Sequence, residues 1–230
     1  MRFEVDDFFS GIGGFSLGLQ NAGMKIKSFC EVDEYPRKVL KKHWPLLPIH
    51  PDIRELSGKD LTGNIYCGGF PCQDISISGE GRGLKGARSG LWYEYKRLIE
   101  EGEPDGVFIE NVANLRSKGL GQVLYDLWEI GYNAEWNIIS AGELGFPHLR
   151  ERVWIVAYPN STQLERGCIS RRIQEKISNL SNTRRGKDKP GVERTLDGIS
   201  SQMDRLKGLG NAVVPLIPQI IGESFMGVVT

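Results

Sequence analysis

The sequence predicts an α/β fold, a mostly parallel sheet with helices on both faces. Three observations carry this expectation. The chain opens on a short apolar strand, a glycine-rich turn and an amphipathic helix, the unit that begins nucleotide-binding α/β domains. Short apolar runs then alternate with helical periodicity as far as residue 157, as a parallel sheet linked by crossover helices requires. Carboxylates also recur at strand ends, in the row where open α/β sheets hold their ligands.

In chain order, residues 3–9 read as a buried strand. Ser10-Gly11-Ile12-Gly13-Gly14 reads as a tight turn whose glycines let the backbone approach a ligand, and residues 15–22 as a helix. Such turns also arise for purely steric reasons. The next strand, 25–30, ends in Glu31, 17 residues past Gly14. An acidic residue about 20 residues after the glycine turn binds ribose hydroxyls in doubly wound folds. Val32 follows it, and Asp33 or Glu34 is read as the N-cap of a helix over 35–43. Asp52-Ile53 stands at the tip of a third short strand.

Residues 65–70 form an apolar, glycine-containing run, followed by Pro71-Cys72. Proline removes a backbone donor and fixes φ, so Pro71 ends strand pairing and gives Cys72 a set exit angle. A thiol at such a strand-to-loop junction is a candidate nucleophile; the plain alternative is a small buried side chain. Residues 73–89 make a long Gly/Ser-rich loop carrying Gln73, Ser76, Ser78, Arg82 and Arg88. Hinge glycines with phosphate-seeking side chains suit contact with a nucleic-acid backbone.

A helix over 91–101 is expected to bury Leu91, Tyr95 and Leu98. A strand over 106–109 then ends at Glu110-Asn111-Val112, a carboxylate at a strand tip. A helix over 119–130 and a strand over 134–140 follow. Arg150 and Arg152 alternate before a strand at 153–157, so in an extended backbone both point one way, as phosphate or a carboxylate and base would require. From 159 to 202 the pattern dissolves, apart from helical rhythm over 168–177, and a last apolar helix runs through residue 220. Asn211 before that helix is also read as a simple cap.

The 230 residues carry no formal net charge, but residues 1–160 hold a net −4 and residues 161–195 a net +5. A basic segment on a mildly acidic body suits an anionic partner, and equally a solvated linker. Four cysteines without a CxxC pair and three scattered histidines indicate neither a metal site nor a disulfide framework. No apolar stretch approaches the roughly 18 residues that span a bilayer, so a cytoplasmic protein is expected.

Taken together, residues 7–14, Glu31, Asp52-Ile53, Gly69-Phe70-Pro71-Cys72-Gln73, Glu110-Asn111-Val112, Arg150-Glu151-Arg152 and Gly210-Asn211-Ala212-Val213 resemble the DNA cytosine-C5 methyltransferases, small bacterial or phage enzymes of restriction-modification type. The resemblance covers 1–158 and 204–225 and implies a Rossmann-like domain binding S-adenosylmethionine (AdoMet), with S-adenosylhomocysteine as product. It implies Cys72 as nucleophile at cytosine C6, Glu110 as the acid at N3, Arg152 orienting Glu110, and Arg150 nearer the phosphates. Phe9, Gly11, Ile12, Gly13, Gly14, Glu31, Val32, Asp52, Ile53, Asn211 and Val213 would hold the cofactor, and Gln73, Ser76, Ser78, Arg82 and Arg88 the DNA.

The implied partner is double-stranded DNA and the implied state a monomer. Residues 1–158 would form the catalytic domain, 159–203 a short target-recognition region, and 204–230 a segment returning to the catalytic domain. His148 stands where the family usually has glutamine. The family's recognition domain is usually about a hundred residues, so the part that reads the DNA sequence is expected to be minimal, trimmed or supplied by a partner. Two alternatives share these motifs: a domain that binds AdoMet or DNA without turnover, and an enzyme acting on cytosine in RNA.

Overall fold

The computed structural model describes residues 3–71, 90–146, 149–184 and 212–229. Cys72, Gln73, Ser76, Ser78, Arg82, Arg88 and Asn211 therefore lie outside the described residues.

The first strand, β1 (Glu4–Phe8), leads through the glycine turn into α1 (Gly14–Asn21). Then follow β2 (Lys25–Cys30), α2 (Glu34–His43), β3 (Ile49–His50) and β4 (Ile65–Gly68). The second half holds α3 (Gly90–Gly102), β5 (Gly106–Val112), α4 (Leu115–Lys118), α5 (Leu120–Glu129), β6 (Tyr132–Ser140), β7 (Glu151–Pro159), α6 (Cys168–Arg184) and α7 (Leu216–Val229). The sheet runs β3-β2-β1-β4-β5-β7-β6. Strands β1 to β5 pair in parallel, and β7 runs antiparallel to both β5 and β6. The expected α/β fold is the one observed.

Strand alternation sorts the core into two layers. Val5, Ile65, Cys67, Phe108, Trp154 and Val156 face the layer formed with α1, α6 and α7. Phe8, Tyr66, Ile109, Val153 and Ile155 face α3 and α5. Helix α3 buries Trp92, Tyr95, Leu98 and Ile99; Leu91 packs only partly, because Trp92 takes the inward position and its Nε1 donates to Asp126 Oδ2 at 2.7 Å.

Three of the differences from the expected boundaries bear on the site and its support. Strand β5 continues to Val112, so Glu110 and Asn111 lie within it. Its ladder to β4 stops at Gly68↔Ile109, but β7 keeps pairing it through Val112↔Arg152. Helix α6 runs on to Arg184. Its Ile169, Ile173 and Ile177 recur every fourth residue and are buried in the core beside α7. Glu135 of β6 accepts from the Gly167 and Ser170 amides at the start of α6, at 3.1 and 2.8 Å, satisfying donors that a helix start leaves open. The third difference is the short α4 that precedes α5.

The basic charge of this region is partly absorbed by the fold. Arg171 pairs with Glu165 at 3.0 Å and Lys176 with Glu223 of α7 at 2.7 Å. Asp33 occupies the N-cap position of α2 without a side-chain cap bond. Among the described residues, no helix is long and apolar enough to cross a membrane, and no group of three His, Cys, Asp or Glu side chains stands close enough to hold a metal ion.

Candidate active site

The strand order reverses beside β1, with β2 on one side and β4 on the other. At such a switch point the carboxyl ends of the strands open a crevice. Here a cleft of about 1240 Å³ is lined from every direction by strand ends. Phe9, Ser10 and Gly11 come from the end of β1, Glu31 and Val32 from β2, Asp52 and Ile53 from β3, Gly69 to Pro71 from β4, and Glu110 from β5. Arg150, just before β7, and Arg152, its second residue, enter from the start of that strand. They reach the same rim because β7 is antiparallel, which puts its start beside the end of β5.

The turn after β1 is tightly constrained. Phe9 has φ 55°, a left-handed conformation uncommon for a bulky residue. The Gly11 amide donates to Glu31 Oε2 at 2.7 Å, and Asp33 N donates to Glu31 Oε1 at 2.8 Å. One carboxylate thus ties the glycine turn to the end of β2. Gly14 abuts the returning C-terminal segment, where a Cβ would stand 2.5 Å from the Val213 carbonyl oxygen. Ile12 and Val213 line the cleft, whereas Gly13, at φ 86°, faces the Trp44 ring on the far side of the turn. At the third strand tip, Asp52 accepts from the Arg54 backbone amide at 3.0 Å and forms an ion pair with its guanidinium. Ile53 is buried beside it.

Across the cleft, Arg152 Nε lies 2.8 Å from Glu110 Oε1. Burial raises the Glu110 pKa above its ordinary value, against the opposing pull of Arg152 and then Arg150. Arg150 is held below its ordinary pKa by burial and by the charge of Arg152, with Glu110 acting the other way. Gly69 presses on this carboxyl group, and the next residue but one is Pro71, directly before Cys72. The described part of the site therefore joins a desolvated acid, two arginines and the peptide that precedes Cys72.

Two residues given no individual role from the sequence belong to this arrangement. Asp7 is 1% exposed and lines the cleft floor; its Oδ2 accepts from Ser16 Oγ at 2.5 Å, while Oδ1 has no partner. Burial, with a smaller contribution from Glu31, lifts its pKa to about 7. The signal was a pair of carboxylates, Asp6 and Asp7, inside an otherwise apolar strand. The second is Asn111, also buried and cleft-lining.

A family profile described as "C-5 cytosine-specific DNA methylase" matches residues 3–213. The chain is 39% identical over 163 residues to the type II methyltransferase M2.BsuMI of Bacillus subtilis (strain 168), covering 67% of this chain and 41% of that protein. It is 32% identical over 164 residues to the type II methyltransferase M.HhaI of Haemophilus parahaemolyticus, covering 69% and 50% respectively. The match thus spans half or less of the length of these curated relatives. Among solved structures, the S. pombe Dnmt2 methyltransferase superposes with a TM-score of 0.62 over 90% of this chain and 66% of that one, at 18% identity, a likeness of fold alone. A profile match running from the first strand to the segment packed on the glycine turn carries the assignment: the chain belongs to the C-5 cytosine-specific DNA methylase family.

Proposed function

We propose that the protein transfers a methyl group from AdoMet to C5 of a cytosine flipped out of double-stranded DNA, through a transient Cys72 adduct at C6. The observation that carries this reading is the Glu110 carboxyl, largely buried, paired with Arg152 and pressed by Gly69 two residues before Pro71-Cys72. Cytosine C5 is a weak nucleophile until a thiolate adds at C6. As the S–C6 bond forms, electron density moves toward N3, and the Glu110 carboxyl, whose pKa burial raises, donates a proton there. Arg152 orients Glu110 and compensates the negative charge left on its carboxylate as the proton moves to N3. Once C5 has been methylated, its proton leaves to a base, the thiolate departs and aromaticity returns.

The cofactor supplies an electrophilic methyl group. The residues fit it: the unpartnered Asp7 Oδ1 suits an ammonium group, Glu31 at the end of β2 suits ribose hydroxyls, and Ile53 offers an apolar wall to an aromatic base. Phe9, Gly11, Ile12, Gly14, Val32, Asp52, Asn211 and Val213 complete the proposed pocket, and Gly13 shapes its turn. Gln73, Ser76, Ser78, Arg82 and Arg88 are proposed to contact the DNA backbone around the extruded nucleotide, whose removal from the stack costs a few kcal/mol.

The same reading makes the protein a cytoplasmic monomer of a bacterial or phage modification system. Within 159–203, α6 supports the catalytic core, which leaves the residues after it for reading DNA. The test is transfer of a labelled methyl group from AdoMet to duplex DNA. Wild-type protein is expected to label the DNA and Cys72→Ser to label none; equal counts from both would reject the mechanism.

A further inference from the structure

The parallel ladder between β4 and β5 ends at Gly68↔Ile109. The chain beyond it, Gly69-Phe70-Pro71, leaves the sheet while still buried: Phe70 is 3% exposed and its ring packs against Trp92 with centroids 5.3 Å apart. A buried backbone carbonyl that has lost its ladder partner needs another donor. Asn111 supplies it, with Nδ2 donating to the Phe70 carbonyl at 3.1 Å. The other end of the same amide, Oδ1, accepts from the Val112 backbone amide at 2.9 Å. The two contacts fix the orientation of the side chain, because one end must donate and the other accept. Asn111 is only 2% exposed, so this polar group is stable there because both ends are used.

Strand β5 is anchored in turn by β7 through Asn111↔Val153 and Val112↔Arg152. A continuous connection therefore runs from the arginine strand, through Asn111, to the peptide that precedes Pro71. We propose that Asn111 is a positioning residue: it replaces the missing ladder bond, holds Gly69-Phe70-Pro71 against the Glu110 carboxyl, and so sets the direction in which the chain departs toward Cys72. This rests on the roles proposed above for Cys72 and Glu110. Asn111 touches neither substrate nor cofactor in this scheme; it acts through the Phe70 peptide.

The test uses the full chain with Asn111→Asp, which keeps the shape and the acceptor but loses the donor, and with Asn111→Ala, which loses both. AdoMet binding by calorimetry is expected to stay within about twofold of wild type. Single-turnover methyl transfer to duplex DNA is expected to fall at least about tenfold in both variants, the scale of one lost buried hydrogen bond. Alkylation of Cys72 by iodoacetamide, followed by peptide mass spectrometry to separate it from Cys168, reads the junction without methyl transfer. Its rate at a fixed pH is expected to change at least about tenfold in both variants, because the thiol then leaves the sheet in a different direction. Wild-type transfer rates and alkylation rates in both variants would overturn the proposal. So would loss of AdoMet binding together with alkylation of the buried Cys30 and Cys67, which would make Asn111 a residue of the fold. If wild-type protein transfers no methyl group to any DNA, the functional reading fails, and the alkylation rates still decide the part played by Asn111.

Discussion

Gly69 and Glu110 are packed so closely that no side chain fits between them: a Cβ on Gly69 would stand 2.7 Å from Glu110 Oε2 and 3.4 Å from its backbone oxygen. The glycine is required by proximity to the acid. Gly69→Ala is expected to push the carboxyl off its position opposite Arg152 and lower methyl transfer by roughly a hundredfold, as a displacement of about 1 Å at a reacting centre does. The accompanying stability loss should be about 1–3 kcal/mol, the usual cost of overpacking. Transfer kinetics and a urea melt of the same preparation check both.

The ion pair between Glu110 and Arg152 predicts unequal outcomes for its two halves. Arg152→Ala leaves a largely buried carboxyl with only Arg150 to oppose its charge and is expected to cost about 1–3 kcal/mol of stability. Glu110→Gln keeps the shape and removes the buried charge, so it should melt close to wild type while methyl transfer falls by about 10²–10⁴, the usual contribution of a general acid. Denaturant melts at neutral pH beside single-turnover rates distinguish the two.

Asp7 provides a pH signature. Its folded pKa of about 7 lies above the ordinary 3.8, so the folded state binds a proton that the unfolded state has released. Asp7 therefore costs no stability at pH values below 3.8, and wild-type protein should lose stability progressively between pH 3.8 and about 7. Asp7→Asn should flatten that part of the curve. If Oδ1 receives an ammonium group, AdoMet affinity should also strengthen as pH rises through about 7 in wild type and stay flat in Asp7→Asn. Melts and calorimetric titrations across this range measure both slopes.

Helix α6 should behave as part of the catalytic core. Ile173 is fully buried among α6, α7 and the sheet, so Ile173→Ala is expected to cost about 2–5 kcal/mol and to lower the melting temperature of the whole domain in one transition. A separate, earlier transition with the catalytic domain intact would assign the helix to an independent unit. Scanning calorimetry with and without AdoMet measures it.

Much of this was legible in the residues. Strand β2 was predicted with its observed ends, because Lys25–Cys30 sits between a glycine turn and a carboxylate that both punctuate the chain. Glu110 was found as a strand-end carboxylate, but the strand was expected to stop before it. Its continuation depends on a partner more than forty residues later in the chain, and no local pattern carries that pairing. The extent of α6 escaped for a related reason. Its mean polarity is high, and its isoleucines become informative only when α7 and the sheet are known to face them. Asp7 has no role that its local sequence reveals, since its meaning lies in an oxygen left unpaired by its neighbours.

By itself the sequence determined the order of the main strands and helices, the glycine turn, and the acids, arginines and thiol that the proposed chemistry needs, because hydrophobic period and turn residues act over a few positions. The tertiary structure decided which of them meet. The antiparallel course of β7 returns Arg150 and Arg152 to the rim where β5 ends. The loss of ladder pairing after Gly68 brings Asn111 to Phe70 and Gly69 to Glu110. Such contacts join segments about forty residues apart, and they are set by sheet register and close packing, which belong to the folded chain as a whole.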